Sequence, residues 1–266
     1  MEIHEHAENG YAKVANAYDR GRPGYPIEVA NFLCSLQTNI LDKTVLDLGA
    51  GTGKFTSLLS TIGAEKIIAI EPVESMRDKL FLIRDIAVME GTAENIPLDD
   101  NSVDIVTCAQ AFHWFDGPTA LKEIRRVLKP NGLLFLVWNV RNDDKYPWLQ
   151  QMAHIYERRM PSTASPRYKH MEWKKLFEID NGFSALEHRQ FSNDQCGTMD
   201  SQIDCMLSVS YIAVLPDEEH KIIADKIRVF LQNEPEIKEK SLFVIPYCTD
   251  VYWCTSLKKS ESEHEQ

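Results

Sequence analysis

A chain of 266 residues, 44% of them hydrophobic, can bury one large core or two small ones, which excludes a chain disordered throughout. Forty acidic against 29 basic residues leave a net charge of −11, which repels phosphate backbones and anionic lipid and excludes nucleic acid as the expected partner. No apolar run approaches the roughly 20 residues a bilayer needs, and the polar start Met1-Glu2-Ile3-His4-Glu5-His6 lacks a secretory layout, so no membrane contact and a cytoplasmic location are expected. Cysteines 34, 108, 196, 205, 248 and 254 show neither CxxC nor zinc-finger spacing, so reduced thiols and no metal are expected.

The first 40 residues begin polar and aromatic, with Tyr11, Tyr18, Arg22 and Tyr25, and continue after Pro26 into an apolar stretch, Ile27 to Leu36, that predicts a helix packed on a sheet. Residues 1–40 are expected to form a helical lid that excludes water from a site below. From 43 to 138 short strands alternate with helices: strands at 44–48, 66–70, 86–89, 103–108 and 133–138, helices near 54–62, 74–83 and 117–128. That alternation predicts a doubly wound α/β fold with a mostly parallel sheet. Lys129-Pro130-Asn131-Gly132 should stop the third of these helices.

Beyond Trp138 the periodicity changes, with amphipathic helices at 146–160 and 168–178 joined by the breaker-rich Pro161 to Pro166. Residues 141–180 are expected as a helical insert above the sheet. A strand over 183–191, a helix over 216–233 and strand segments at 242–245 and 251–254 should complete the sheet, and the charged 258–266 reads as a disordered tail.

The densest signal is Val45-Leu46-Asp47-Leu48-Gly49-Ala50-Gly51-Thr52-Gly53-Lys54, a strand that runs into a Gly-x-Gly-x-Gly turn and opens a helix. Glycines at alternate positions let a ligand lie against bare backbone. A dinucleotide fingerprint would need glycine where Lys54 stands, and a phosphate-binding P-loop would need Ser or Thr where Phe55 stands. Glu71, 24 residues after Asp47, ends the second strand near the spacing at which a carboxylate binds ribose hydroxyls. Asp47 can hold a ligand ammonium or the amides of the loop. A nucleoside joined to an amino acid, as in S-adenosylmethionine, meets these requirements.

Over 45–138 the chain resembles the class I S-adenosylmethionine-dependent methyltransferases. The likeness rests on Asp47-Leu48-Gly49-Ala50-Gly51-Thr52-Gly53, Glu71-Pro72, Gly91-Thr92-Ala93-Glu94-Asn95-Ile96-Pro97, Ser102-Val103-Asp104-Ile105-Val106 and Arg126-Val127-Leu128-Lys129-Pro130-Asn131-Gly132, in that order. Gly21-Arg22-Pro23-Gly24-Tyr25-Pro26 and Ala109-Gln110-Ala111-Phe112-His113-Trp114-Phe115-Asp116 resemble a narrower small-molecule branch that includes the trans-aconitate methyltransferases. The resemblance implies a seven-stranded Rossmann-like domain over 41–257. It implies S-adenosylmethionine held by Asp47, Gly49, Ala50, Gly51, Gly53, Glu71 and Pro72, with Thr92, Ala93 and Glu94 beside the adenine. Gln110 would face the methionyl group, and Tyr18 and Arg22 would close over it.

His113, after the fourth strand, lies where such sheets bind ligands and could take a proton from a substrate or pin its own loop. Arg22 and Arg141 could hold a substrate carboxylate through two-pronged hydrogen bonding. Trp114, Trp138 and Asn139 are read as facing the acceptor; Trp148, Tyr156 and Trp173 as core first and pocket wall second; Asp104 as structural. The expected activity is in-line transfer of a methyl group to an oxygen or nitrogen of a small metabolite, with carboxylate-bearing acceptors among the candidates. Two other functions fit the sheet less well: a non-catalytic partner subunit and a nicotinamide-dependent oxidoreductase. Oligomeric state is left open.

Overall fold

The computed structural model describes residues 21–157 and 173–258. Helix α1 (Ile27–Ser35) precedes strand β1 (Thr44–Leu48), α2 (Lys54–Leu59), β2 (Lys66–Ile70), α3 (Glu74–Leu80), β3 (Ala87–Met89), β4 (Val103–Ala109), α4 (Gly117–Val127) and β5 (Leu128–Arg141). Then follow α5 (Pro147–Glu157), α6 (Lys174–Ile179), β6 (Glu187–Ser192), β7 (Gln195–Gly197), α7 (Met199–Leu207), α8 (Ser210–Ala213), α9 (Asp217–Asn233), β8 (Phe243–Ile245) and β9 (Tyr247–Thr255).

Seven strands form one sheet in the order β3-β2-β1-β4-β5-β9-β6, parallel from β3 to β5, with β9 antiparallel to both of its neighbours. Alternate residues serve opposite faces. Leu46, Ile68, Val106, Leu134 and Leu136 pack in the core with α4, whereas Val45, Ile67, Ile105, Phe135 and Val137 pack in the core with α1 and α2. The strand order reverses between β1 and β4, so their carboxyl ends part and leave the crevice in which such sheets take ligands. No helix among the described residues is long and apolar enough to cross a membrane.

The third central helix stops where expected: α4 ends at Val127, and β5, which starts at Leu128, absorbs the breakers at 129–132 through an irregular register opposite Val103 and Ile105. Three expectations change. Residues 195–245 do not extend the sheet; only β6 and β9 do. The interval instead builds a second core in which Trp148, Leu149 and Met152 of α5 meet Ile203, Cys205 and Met206 of α7 and Ile223, Ile227 and Leu231 of α9. The four-residue spacing along α9 puts its apolar stripe on that core. Since β5 ends, β6 ends and β9 begins at the same end of the sheet, this second core grows out of the carboxyl end.

The expected insert over 141–180 also divides, with α5 in the second core while Trp173 and Phe177 pack into the sheet core. Residues 158–172, which include the start of the second insert helix expected over 168–178, lie outside the described residues. Helix α1 buries Val29, Ala30 and Leu33 against the sheet and so is no part of a lid. Tyr11 and Tyr18 lie outside the described residues, as do 1–20 and 259–266 in full.

Candidate active site

The loop after β1 is shaped by backbone that a side chain would oppose. Gly49, Gly51 and Gly53 all have positive φ, at 70°, 58° and 86°. At Gly53 an added Cβ would also press on Ile83 at 2.5 Å, whereas at Gly51 the nearest atom is Met76 Sδ at 4.0 Å. Gly51 therefore faces open space, and its bare backbone is the face a ligand can approach.

The loop is tied to β2. The N–H groups of Gly49 and Ala50 both donate to Ile70 O, at 2.9 and 3.0 Å. Glu71 accepts the Gly51 N–H on Oε2 at 2.8 Å and the Val73 N–H on Oε1 at 3.0 Å. Arg77 donates to the carbonyls of Glu71 and Pro72, both at 2.8 Å. Burial raises the Glu71 carboxyl above its usual range, opposed by those two amides and by Arg77.

Asp47 is 0% exposed and lies under the loop. The hydroxyls of Thr56 and Thr107 donate to its two oxygens at 2.6 and 2.9 Å. Its partners are thus two hydroxyls and not the loop amides, and its burial sets it beneath the ligand-facing side of the loop. Burial pushes its carboxyl up to about 6.

The loop fits a ligand on one further count. The Thr52 hydroxyl is buried with no hydrogen-bond partner among the described residues, and so is that of Ser75 at the start of α3. Buried hydroxyls rarely stay unsatisfied, and these two flank the Gly51–Glu71 contact in sequence. A nucleoside with hydroxyls to place on Glu71 suits the carboxylate, the open face of Gly51 and the orphaned Thr52.

On the adenine side, Ala93 is buried in the sheet core and Thr92 pairs with Asn95 in an isolated bridge. Glu94 accepts the Asp116 N–H at 2.9 Å, which engages one oxygen at the start of α4.

Around β4 and β5 several expected roles change. Gln110, with φ at 56°, donates from Nε2 to Asn139 O at 2.9 Å, so its amide braces β5. Trp138 is fully buried and stacks on Trp173 with centroids 4.6 Å apart, which removes it from any acceptor. Its indole N–H donates to His113 Nδ1 at 3.1 Å. The Trp114 ring lies 5.3 Å from that of His113 and is half-buried. Asn139 is a clasp: Nδ2 donates to Gly24 O at 3.0 Å, and Oδ1 accepts from Asn193 at 3.0 Å and Thr249 at 2.7 Å.

Arg22 belongs to a strap, residues 21–26, laid across the second core. Its Nε and Nη2 donate to Ser208 Oγ at 2.9 Å and Ser208 O at 3.1 Å. Its charge acts on both His113 and Tyr247. Arg141 closes its fork on Asp143, through Nε to Oδ1 and through Nη2 to Oδ2 at 3.3 Å, and Nη1 lies 3.4 Å from Met206 Sδ. A substrate carboxylate expected at Arg141 would have to displace Asp143. Asp104, expected to be structural, receives Lys129 at 2.8 Å and the Thr44 N–H at 3.0 Å.

Tyr247 was not anticipated. It lies buried at the start of β9, with Oη 3.8 Å from Cys205 Sγ and with Arg22 and Arg141 acting on it. Its single signal in sequence, an aromatic residue after Pro246, marks nothing about the two arginines brought to it by distant elements.

Comparison with known proteins identifies the family. Residues 46–136 match a family described as a methyltransferase domain. An uncharacterized methyltransferase-like protein of Schizosaccharomyces pombe is 36% identical over 235 residues, 87% of this chain and 90% of that one. A solved structure from Anaeromyxobacter dehalogenans, described as a type II methyltransferase, superposes with a TM-score of 0.68 at 20% identity, covering 90% of this chain and 99% of that one. The phosphoethanolamine N-methyltransferase 2 of Haemonchus contortus, solved with phosphomonomethylethanolamine and S-adenosylhomocysteine, shares the fold with a TM-score of 0.56 at 12% identity, over 97% of this chain and 61% of that one. The chain belongs to the class I S-adenosylmethionine-dependent methyltransferases.

Proposed function

We propose that this methyltransferase moves a methyl group by in-line displacement onto an oxygen or nitrogen of a small, carboxylate-bearing metabolite, with S-adenosylmethionine as donor. The observation that carries the donor is the Gly51–Glu71 contact beside open space and the orphaned Thr52 hydroxyl. Bound there, the sulfonium would supply an activated methyl group and a neutral leaving thioether. What the chain must add is alignment in a dry site. Gly49, Gly51 and Glu71 would fix one end, while the strap and the second core would limit water at the other.

For the acceptor, Arg22 supports an anionic group because its guanidinium acts on His113 at the carboxyl end of β4. Resemblance to the branch that includes trans-aconitate methyltransferases points the same way. Small size follows from the strap, which Asn139, Asn193 and Ser208 hold close to the sheet end.

Incubation with labelled S-adenosylmethionine and a metabolite extract tests the proposal, with the labelled product identified by mass. A methylated small carboxylic acid is expected, with turnover lost in Arg22→Ala. A product lacking any carboxylate, or unchanged turnover in Arg22→Ala, would reject the acceptor class.

A further inference from the structure

The contact between Trp138 and His113 fixes more than position. An indole nitrogen can only donate, so His113 Nδ1 must present its lone pair to the N–H that lies 3.1 Å away. In the neutral ring the proton then sits on Nε2. The Nδ1–H tautomer and the doubly protonated ring would each set one N–H against another.

Trp138 has nowhere to turn. It is fully buried, stacked on Trp173, set edge-on to Tyr252 at 6.0 Å, and paired through its backbone with Asp250 of β9. His113 sits in the short turn after β4, at the sheet end where ligands bind, and keeps some exposed surface. Its Nε2 has no hydrogen-bond partner among the described residues. The neighbours in ring contact, Trp114 and Trp138, carry no charge, and the charged group that acts on it is Arg22.

We propose that Trp138 is a positioning residue that locks His113 in its Nε2–H form, so that His113 donates a hydrogen bond to the methyl acceptor instead of removing the acceptor's proton. The lock stands on the geometry of two side chains; its use toward an acceptor rests on the methyltransferase assignment. Burial and the nearby Arg22 also hold the ring neutral, with its pKa pushed down to about 4. The role of base expected for His113 is thereby withdrawn. The acceptor suited to this site carries an oxygen that can receive Nε2–H and a nucleophile whose lone pair is already free at neutral pH. A carboxylate is both.

Long-range proton–nitrogen correlation spectra of the full-length, nitrogen-15-labelled protein test the lock, with the His113 signal assigned by its loss in His113→Gln. From about pH 8 to about pH 5 the wild-type ring should keep one bare nitrogen, Nδ1, and one protonated nitrogen, Nε2, while ordinary histidines titrate near 6.5. Trp138→Phe should give a mixture of tautomers and raise the His113 pKa by about one unit or more. An Nδ1–H ring in the wild type, or a wild-type His113 that titrates like an ordinary histidine, would overturn the proposal whether or not the variant folds. An unaltered tautomer in folded Trp138→Phe would also overturn it. Calorimetry with S-adenosylmethionine on the wild type tests donor binding separately, so failure there leaves the tautomer result intact.

Discussion

Glu71 accepts the backbone N–H of Gly51 at 2.8 Å, a bond that ties the tip of β2 to the loop after β1. Its other oxygen accepts the Val73 N–H, so one carboxylate organises both the loop after β1 and the turn after β2. Each oxygen keeps a second lone pair, and burial leaves the group short of donors. Hydroxyls supplied by a ribose would fill that shortage without moving the backbone.

Glu71→Ala is therefore expected to weaken S-adenosylmethionine binding by roughly 10- to 100-fold, the cost of losing charge-assisted hydrogen bonds. Glu71→Gln, which keeps the shape but exchanges an acceptor for a donor, should fall between the two. Isothermal titration decides the matter, and equal affinity in the wild type and Glu71→Ala would remove Glu71 from the site.

Asp47 sets a pH signature. Its folded pKa of about 6 lies above the ordinary aspartate value of 3.8, so the folded state binds the proton more tightly than the unfolded chain does. The stability it contributes is fully present below about pH 4 and is lost as pH rises through about 6. Near neutrality the buried charge costs on the order of 3 kcal/mol. Asp47→Asn can still accept from one threonine and donate to the other, and carries no charge to bury. The stability gap between variant and wild type, read from urea unfolding, should widen in favour of the variant between about pH 4 and pH 6. A gap independent of pH would show that Asp47 does not titrate in that window.

Local order was legible where one segment carried its own reason. The alternating pattern over 43–138 located the parallel strands, and the run from Asp47 to Gly53 located the glycine turn between β1 and α2, because glycines, a strand end and a helix start lie within ten residues. Trp138 and Asn139 were misread because their partners come from afar: Trp173 packs back from the far part of the insert, and Gly24, Asn193 and Thr249 converge on Asn139 from three separate segments. Arg141 was misread for the opposite reason. Its partner Asp143 lies two residues on, close enough to answer its charge before any substrate can.

The strap over 21–26 depends on one close approach. A Cβ at Gly21 would stand 2.3 Å from Cys205 N and 2.7 Å from Asp204 C, both backbone atoms of α7 that cannot yield. At Gly24 nothing lies within 4 Å. Gly21→Ala should therefore lift the strap and speed amide hydrogen exchange over 21–26, while Gly24→Ala should leave exchange there close to the wild type. Equal exchange in the two variants would mean that α7 does not hold the strap.

Arg141 and Asp143 offer the last test, because two roles for Arg141 predict opposite couplings. If the arginine chiefly serves Asp143, either alanine variant leaves a poorly solvated charge, with side chains only 10% and 17% exposed. Each single variant should then lose about 1–3 kcal/mol of stability, and the double variant should lose less than the sum by about 1 kcal/mol or more. If the arginine were instead held ready for an acceptor, the losses would add and Asp143→Ala alone would be harmless. Denaturant unfolding of the four proteins separates the two cases. Additive losses would return Arg141 to the acceptor site, whereas strong coupling assigns Arg141 to Asp143.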